Sequence, residues 1–276
     1  MHLPRLLAAL VALGVALATS LPAHAGPAPD ARPQGMPPAP PTGWTTDLGV
    51  GAIVNPERQG GDEYQVRPIP FFDVRYRDER GVKLFANVPQ GIGGYVYRNG
   101  DRRSRTAVSL AIAPGFATRD DDIQGLPEID IATEARLGFE FTRGAWMASA
   151  QLGADLGTGH EGAWVDLALQ RQGRLGRRGF WSLGPTLRIA DEDYADSQYG
   201  ISAAEAVASG LPAHDAGSGA EQLSIGGVVS MPIGEKWRWT AAGRVGRILG
   251  DRGDSPVVDE RTQGFLLFAV SRPVGR

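Results

Sequence analysis

The chain contains no cysteine in 276 residues, so a disulfide framework and thiolate metal sites are both excluded. Histidine is almost as scarce. Past residue 25 only His160 and His214 remain, in different segments and without metal-ligand spacing. A Ser-His hydrolase needs a base held against its nucleophile and oriented by a third group, and no nucleophile elbow is present. The chain therefore offers no catalytic, cofactor-binding or metal-ligating residue set, and an enzyme is not expected. Charge of one sign is also missing. The formal net charge of -3 gives no sign of nucleic-acid binding or of a polybasic membrane patch. Past residue 25, no stretch approaches the roughly 20 apolar residues that a spanning helix needs.

What the chain does contain begins with a removable leader. Arg5 gives a positive start, Leu6 to Ala18 an apolar core, and Ala23-His24-Ala25 a small-x-small cleavage site. Residues 1–25 thus read as a secretory signal peptide. Loss of Arg5 takes the formal charge from -3 to -4. Residues 26–43 carry Pro27, Pro29, Pro33, Pro37, Pro38, Pro40 and Pro41 with almost no large apolar side chain. They read as an extended periplasmic tether.

From Trp44 onward glycine is plentiful, 38 in the whole chain, and the dominant period is two. Ala135, Leu137, Phe139 and Phe141 alternate with Glu134, Arg136, Gly138 and Glu140. Trp181, Leu183, Leu187 and Ile189 alternate in the same way with Ser182, Gly184, Thr186 and Arg188. One apolar face and one polar or glycine face is strand patterning. Laid end to end, the segments predict about twelve strands: 44–54, 64–77, 82–88, 91–98, 105–114, 131–142, 145–153, 163–172, 179–190, 223–231, 237–248 and 262–272. Alternation alone also fits a soluble sandwich or a lipocalin-like barrel. Two features favour lipid outside.

The first is loop length. Short and long connections alternate, except near Pro89, as in an up-and-down antiparallel outer-membrane barrel with short periplasmic turns. An even strand count returns both termini to the periplasm. The second is the aromatics. Trp44, Trp146, Trp181, Trp237 and Trp239 open rising strands on their apolar face, and Tyr76, Phe139 and Phe141 close descending ones. A ring of aromatics at one height is an interfacial girdle. Trp164 breaks this parity and reads as lumenal or loop-packed. The opposite face lines the lumen with Asp47, Asp73, Arg75, Lys83, Glu134, Arg136, Glu140, Asp166, Arg188, Arg238 and Arg244, whose mixed signs predict a paired network.

One stretch does not alternate. In YGISAAEAVASGLPAHDAGSG, residues 199–219, Ser202 and Glu205 form a capping box ahead of an Ala-rich run to Ala208. Gly200 and Gly210 flank that short helix, and Pro212 follows it. Tyr199, Gly200, Ser202, Glu205, Gly210 and Pro212 define a cassette in the longest outer loop, which either caps the barrel mouth or packs on itself. The acidic runs Asp120–Asp122 and Asp191–Asp193 read as solvated loop or as cation contacts near lipopolysaccharide. Arg252-Gly253-Asp254 spells an integrin-recognition tripeptide, a weak adhesin signal.

With its flanks, the cassette in DEDYADSQYGISAAEAVASGLPAHDAGSG and the later LGDRGDSPVVDER resemble the signature of the MipA/OmpV family, the MltA-interacting proteins. QVRPIPFFDVRY, EIDIATEARLGFEF and WSLGPTLRIADEDY occur in matching order. The resemblance implies an outer-membrane barrel without catalysis, in contact with outer-membrane lipid and lipopolysaccharide. For the family's namesake it implies a scaffold between a lytic murein transglycosylase and a bifunctional penicillin-binding protein. Other members are linked to adhesion, osmotic response or solute passage, so a channel and an adhesin remain alternatives. One departure is the C-terminus. Family barrels end in an aromatic residue, whereas here GFLLFAVS is followed by Arg272-Pro273-Val274-Gly275-Arg276. Either the insertion signal lies near Phe268 or insertion is less efficient.

Overall fold

The structure is a computed structural model. It describes residues 42–276 except 102–103, 116–122, 124, 128–130, 177 and 275–276. The predicted signal peptide, the predicted tether up to residue 41, the acidic run Asp120–Asp122 and the last two residues lie outside the described residues. The chain divides into Met1–Thr42 and Gly43–Arg276, and the strands among the described residues lie in the second unit.

Twelve antiparallel strands close on themselves in sequence order. They are β1 (Gly43–Pro56), β2 (Tyr64–Asp78), β3 (Gly81–Asn87), β4 (Gly91–Gly100), β5 (Ser104–Pro114) and β6 (Thr133–Arg143), then β7 (Trp146–Asp155), β8 (Ala163–Leu175), β9 (Gly179–Ala190), β10 (Gly219–Ile233), β11 (Trp237–Ile248) and β12 (Thr262–Pro273). β1 pairs with β2 on one side and β12 on the other, so no strand edge is left open. The helices within this unit are short, and no helix among the described residues is long and apolar enough to cross a membrane.

The predicted strands and the observed ones agree to within a few residues except at β10, which begins at Gly219 rather than 223. The early residues pair with β9 across a bulge between Ala220 and Gln222. Strict alternation after Leu223 hid this start, because a bulge breaks the period of two. The same bulge turns Glu221 out of the regular alternation and buries it, 1% exposed. The connections alternate in position as expected, though not always in length. The turn 144–145 lies at the end of the barrel that carries the termini, the turn end. The β3–β4 connection at Pro89 is also short but lies at the opposite, loop end.

Register explains why the wall has two faces. Trp44, Leu48 and Val50 of β1 share a face and are exposed, 62%, 45% and 72%. Cross-strand partners share a face, so the outward face continues through Tyr76, Phe72 and Pro70 of β2. Asp47 pairs with Asp73 on the other face, which therefore lines the lumen. Inward glycines allow close coiling. A Cβ on Gly49 would collide with the Val270 carbonyl oxygen, and one on Gly184 with that of Leu169.

The closing strand runs further than the proline implies. Pro273 still sits opposite Asp47, and the Val274 amide resumes bonding by donating to the Thr46 carbonyl at 2.7 Å. Pro273 lacks only its own N–H, which a strand's final residue can spare. Chains ended at Phe268 lose five of the eight β1–β12 pairs, Gly51–Ala269 to Asp47–Pro273. Such chains are expected to lose the compact, heat-modifiable band on unboiled gels, whereas chains ended at Val274 keep it.

Candidate functional site

The side chains with the most specific surroundings lie at the loop end, where the β9–β10 connection folds over the lumen. It contains two helices, α1 (Glu192–Tyr199) and α2 (Ala203–Ser209). The second is the helix the capping box predicted. Ser202 accepts from the Glu205 amide while the Glu205 carboxylate accepts from the Ser202 amide at 2.7 Å. Gly210 closes α2 in the left-handed conformation at φ 76°, which glycine adopts freely, and Pro212 follows, exposed.

Helix α1 corrects the sequence reading of Asp191–Asp193 as a solvated acidic run. Asp191 is its N-cap, accepting from the Tyr194 amide at 3.0 Å and from the Ala163 amide of β8 with both oxygens. Glu192 and Asp193 occupy the first turn, where carboxylates favour the helix dipole. The signal was present: an aspartate cap, an acidic first turn and a closing Gly200. The low mean hydropathy of this segment masked it.

Both helices pack into small apolar cores. Ala195 and Tyr199 meet Ala216 and Ile248, while Leu126, Ile201 and Val257 gather Ile123, Ala206, Leu211 and Val258 around them. Ile201 and His214 exchange backbone bonds of 2.8 and 2.9 Å, closing the loop around α2. The β11–β12 connection locks on from the other side, with the Ser255 hydroxyl donating to the Tyr199 carbonyl at 2.6 Å. Arg252 is 4% exposed and donates to the carbonyls of Ala220 and Gly217. That burial overturns the Arg-Gly-Asp reading, because the arginine is engaged inside the loop. Arg58 of the β1–β2 connection reaches the Val257 carbonyl and Asp259. Segments from the β1–β2, β5–β6, β7–β8, β9–β10 and β11–β12 connections thus meet across one end.

Under this cap lies a polar stack. Arg188 forms a two-pronged pair with Asp166 at 2.8 and 2.7 Å and lies 4.4 Å from the centre of the Trp164 ring. Arg136 stands 5.6 Å from the same ring centre and pairs with Glu134 at 2.7 Å. Glu134 also accepts from the Trp164 indole at 3.0 Å. The Gly162 amide donates to His160 Nδ1, so the Nε2 proton points to Glu134, 3.0 Å away. The His160 ring meets Tyr194 of α1 edge-on at 4.8 Å, and Arg188 donates to the Tyr194 hydroxyl at 3.3 Å. Trp164 is therefore lumenal, the inward anchor beneath the cap.

Tyr199 hangs from the cap into the same region, donating to Glu221 at 3.0 Å. Burial pushes its hydroxyl well above the ordinary tyrosine value, with the Glu221 carboxylate adding to the shift. Burial raises Tyr194 in the same way, with Glu221 again contributing. Both therefore stay protonated across the physiological range. Neither the Trp164–His160 junction nor the buried Glu221 was foreseen, since each joins residues from separate connections.

The remaining predicted lumen charges face inward in different company. Arg75 pairs with Asp73 at 2.6 Å, and Arg238 donates to the Ser230 hydroxyl at 3.2 Å. Glu140 accepts from the Tyr95 hydroxyl at 3.4 Å. Asp47 shares the Asp73 level without an ion pair among the described residues, and Lys83 is exposed near the turn end. Arg244 makes no ion pair or hydrogen bond among the described residues and is open to the lumen. On the outward face, Trp44 stacks obliquely on Tyr76 at 5.2 Å and Trp239 lies parallel to Phe268 at 6.2 Å. Trp146 and Trp237 are half exposed, while Trp181, Phe139 and Phe141 sit lower among their neighbours. Carboxylate oxygens of Glu192, Asp196 and Asp215 approach within 4.8 Å of one another, but Asp196 and Asp215 already accept from loop amides.

Two substitutions test the cap. Tyr199→Phe leaves Glu221 without its donor and is expected to cost about 1–3 kcal/mol locally. Asp191→Ala removes the α1 cap and is expected to cost about 1 kcal/mol. Both should appear as faster amide exchange over 192–216, with the strands of β1–β5 unchanged.

No curated protein matches the chain. A family model described as MltA-interacting protein MipA matches residues 48–273, which takes in nearly all of the barrel and the whole cap. The chain belongs to the MipA family of MltA-interacting proteins.

Proposed function

We propose that this protein is a non-catalytic scaffold in the bacterial outer membrane, with its termini and short turns in the periplasm. There it would hold a lytic murein transglycosylase beside a bifunctional penicillin-binding protein. The closed barrel and the family both fit an outer-membrane protein, and the family name carries interaction with MltA, a murein transglycosylase. The observation that carries the scaffold over a channel is the cap. Its helices are tied to connections around the mouth by buried apolar contacts and by Tyr199, Ser255 and Arg252. An open pore does not need so much apolar surface buried across its mouth. On this reading the surfaces free for partners are the turn end and the Pro-rich tether.

A channel for small solutes or ions is the second reading, favoured by Arg244, a lumenal cation with no partner among the described residues. Planar-bilayer recording separates the two. The intact barrel is expected to be silent, and replacing Glu192–Asp215 by a short Gly/Ser linker is expected to produce conductance steps. A conducting intact barrel would favour the channel. For the scaffold, immobilised barrel is incubated with envelope extract beside a variant lacking Gly26–Gly43. Retention of both murein enzymes is expected, and its loss in the variant would place the contact on the tether.

A further inference from the structure

One quarter of the barrel wall carries an imbalance of charge that the scaffold reading does not use. The sequence has no aspartate or glutamate from Phe141 to Ala154, nor from Leu167 to Ala190. Near the turn end this quarter bears Arg143, Arg171, Arg174 and Arg178, all exposed. On β2 and β4, by contrast, Arg75 pairs with Asp73 and Arg98 with Asp78.

The register gives the imbalance a shape. Trp146 opens β7 with Arg143 of β6 opposite it on one side and Arg171 of β8 on the other. All three lie on the outward face, and Trp146 is 50% exposed. Neighbouring strands are roughly 4.8 Å apart, so the two arginine backbones flank the indole at about 10 Å from each other. Neither arginine has an ion pair or a side-chain hydrogen bond among the described residues. Elsewhere in the girdle the arrangement is closed, since Arg272 folds over Trp237 with 5.8 Å between guanidinium and ring centre. At Trp146 the two planar donor forks are left open, and forks of this kind match oxyanions.

We propose that Arg143, Trp146 and Arg171 bind the phosphodiester headgroup of an anionic phospholipid, of the phosphatidylglycerol class, in the leaflet that meets the turn end. The guanidiniums would share the phosphate and the indole would sit at the glycerol level, where tryptophan partitions. Toward the membrane interior, the acyl chains would lie over Ala148 and Ala150, which the register sets between Phe141 and Phe139 on one side and Leu169 and Leu167 on the other. A zwitterionic headgroup fits less well, because neither Phe141–Ala154 nor Leu167–Ala190 contains a carboxylate to receive its ammonium. An acidic protein fits less well too, because these arginines stand on the outward wall at aromatic height rather than in the aqueous turns.

The proposal rests on the barrel spanning a membrane, but not on its orientation or its enzyme partners. The full barrel is released from mixed micelles holding equal phosphatidylglycerol and phosphatidylethanolamine, and bound lipid is counted by native mass spectrometry. Preferential retention of phosphatidylglycerol is expected, falling about fivefold for each arginine removed in Arg143→Gln and Arg171→Gln. Arg80→Gln with Lys236→Gln, placed in turns away from the patch, should leave the preference intact. Heat-modifiable mobility confirms that each variant folds. Equal retention of the two lipids by the intact barrel would overturn the proposal, as would an unchanged preference in the Arg143→Gln/Arg171→Gln double variant. Since no murein enzyme is present, either failure leaves the scaffold reading standing.

Discussion

Everything in this barrel depends on the pairing of its first strand with its last. In lipid there is no water to satisfy a free strand edge, so a sheet crosses a membrane only if it closes. The eight β1–β12 pairs do this, and they hold even where Pro273 removes a donor, because the Val274 amide takes up the next bond. Closure then dictates the alternation. Each residue faces lipid or lumen, and a one-residue slip at the β1–β12 seam would carry Asp47 outward and Leu48 inward. The register Asp47–Asp73–Asn87 shows how one strand's choice passes to the next.

This explains what was legible. A period of two, fixed by closure, can be counted residue by residue, so the strand number and both faces could be read from the sequence. The helix α2 was readable for a different reason, since a capping box is local. Helix α1 was equally local, with Asp191, Glu192 and Gly200 in place, but its charges looked like an ordinary solvated loop. What could not be read were meetings between distant connections. Nothing in the sequence around His160 says that its ring will stand against Tyr194 and its proton on Glu134, 26 residues away. The burial of Glu221 depends on a bulge, which erases the periodicity that made the other strands visible.

The lumen divides into two regimes. Near the turn end, pairs such as Asp73–Arg75 lie two residues apart on one strand and remain partly open to water. Such pairs contribute little, at most about 1 kcal/mol each. Beneath the cap, Glu134 and Arg136 are nearly inaccessible, and Glu134 accepts from Trp164 and His160 as well. Here removing one partner would strand a buried charge, which typically costs about 3–5 kcal/mol. The connections at the loop end are therefore bound to the barrel by groups that cannot be unpaired without a large loss of stability. Arg136 extends the hold by donating to the Pro89 carbonyl of the β3–β4 connection and to the Pro114 carbonyl at the end of β5.

That asymmetry bears on function. Apolar residues of the cap, Tyr199, Ile201, Ile248 and Val257, are buried in packing within the cap's own cores. The apolar surface of the loop end is consequently taken up within it, and its one recognition-like tripeptide has its arginine buried. Among the described residues the turn end has no such core. Its exposed groups are the tryptophans, tyrosines and arginines of the girdle and the residues of short turns, held rigidly by the strands on either side. A surface that is rigid, aromatic and basic is suited to holding something else in place, whether lipid at the wall or protein at the turns. The molecule thus ties one end together with side chains drawn from five connections, and at the other leaves Arg143 and Arg171 beside Trp146 without side-chain partners among the described residues.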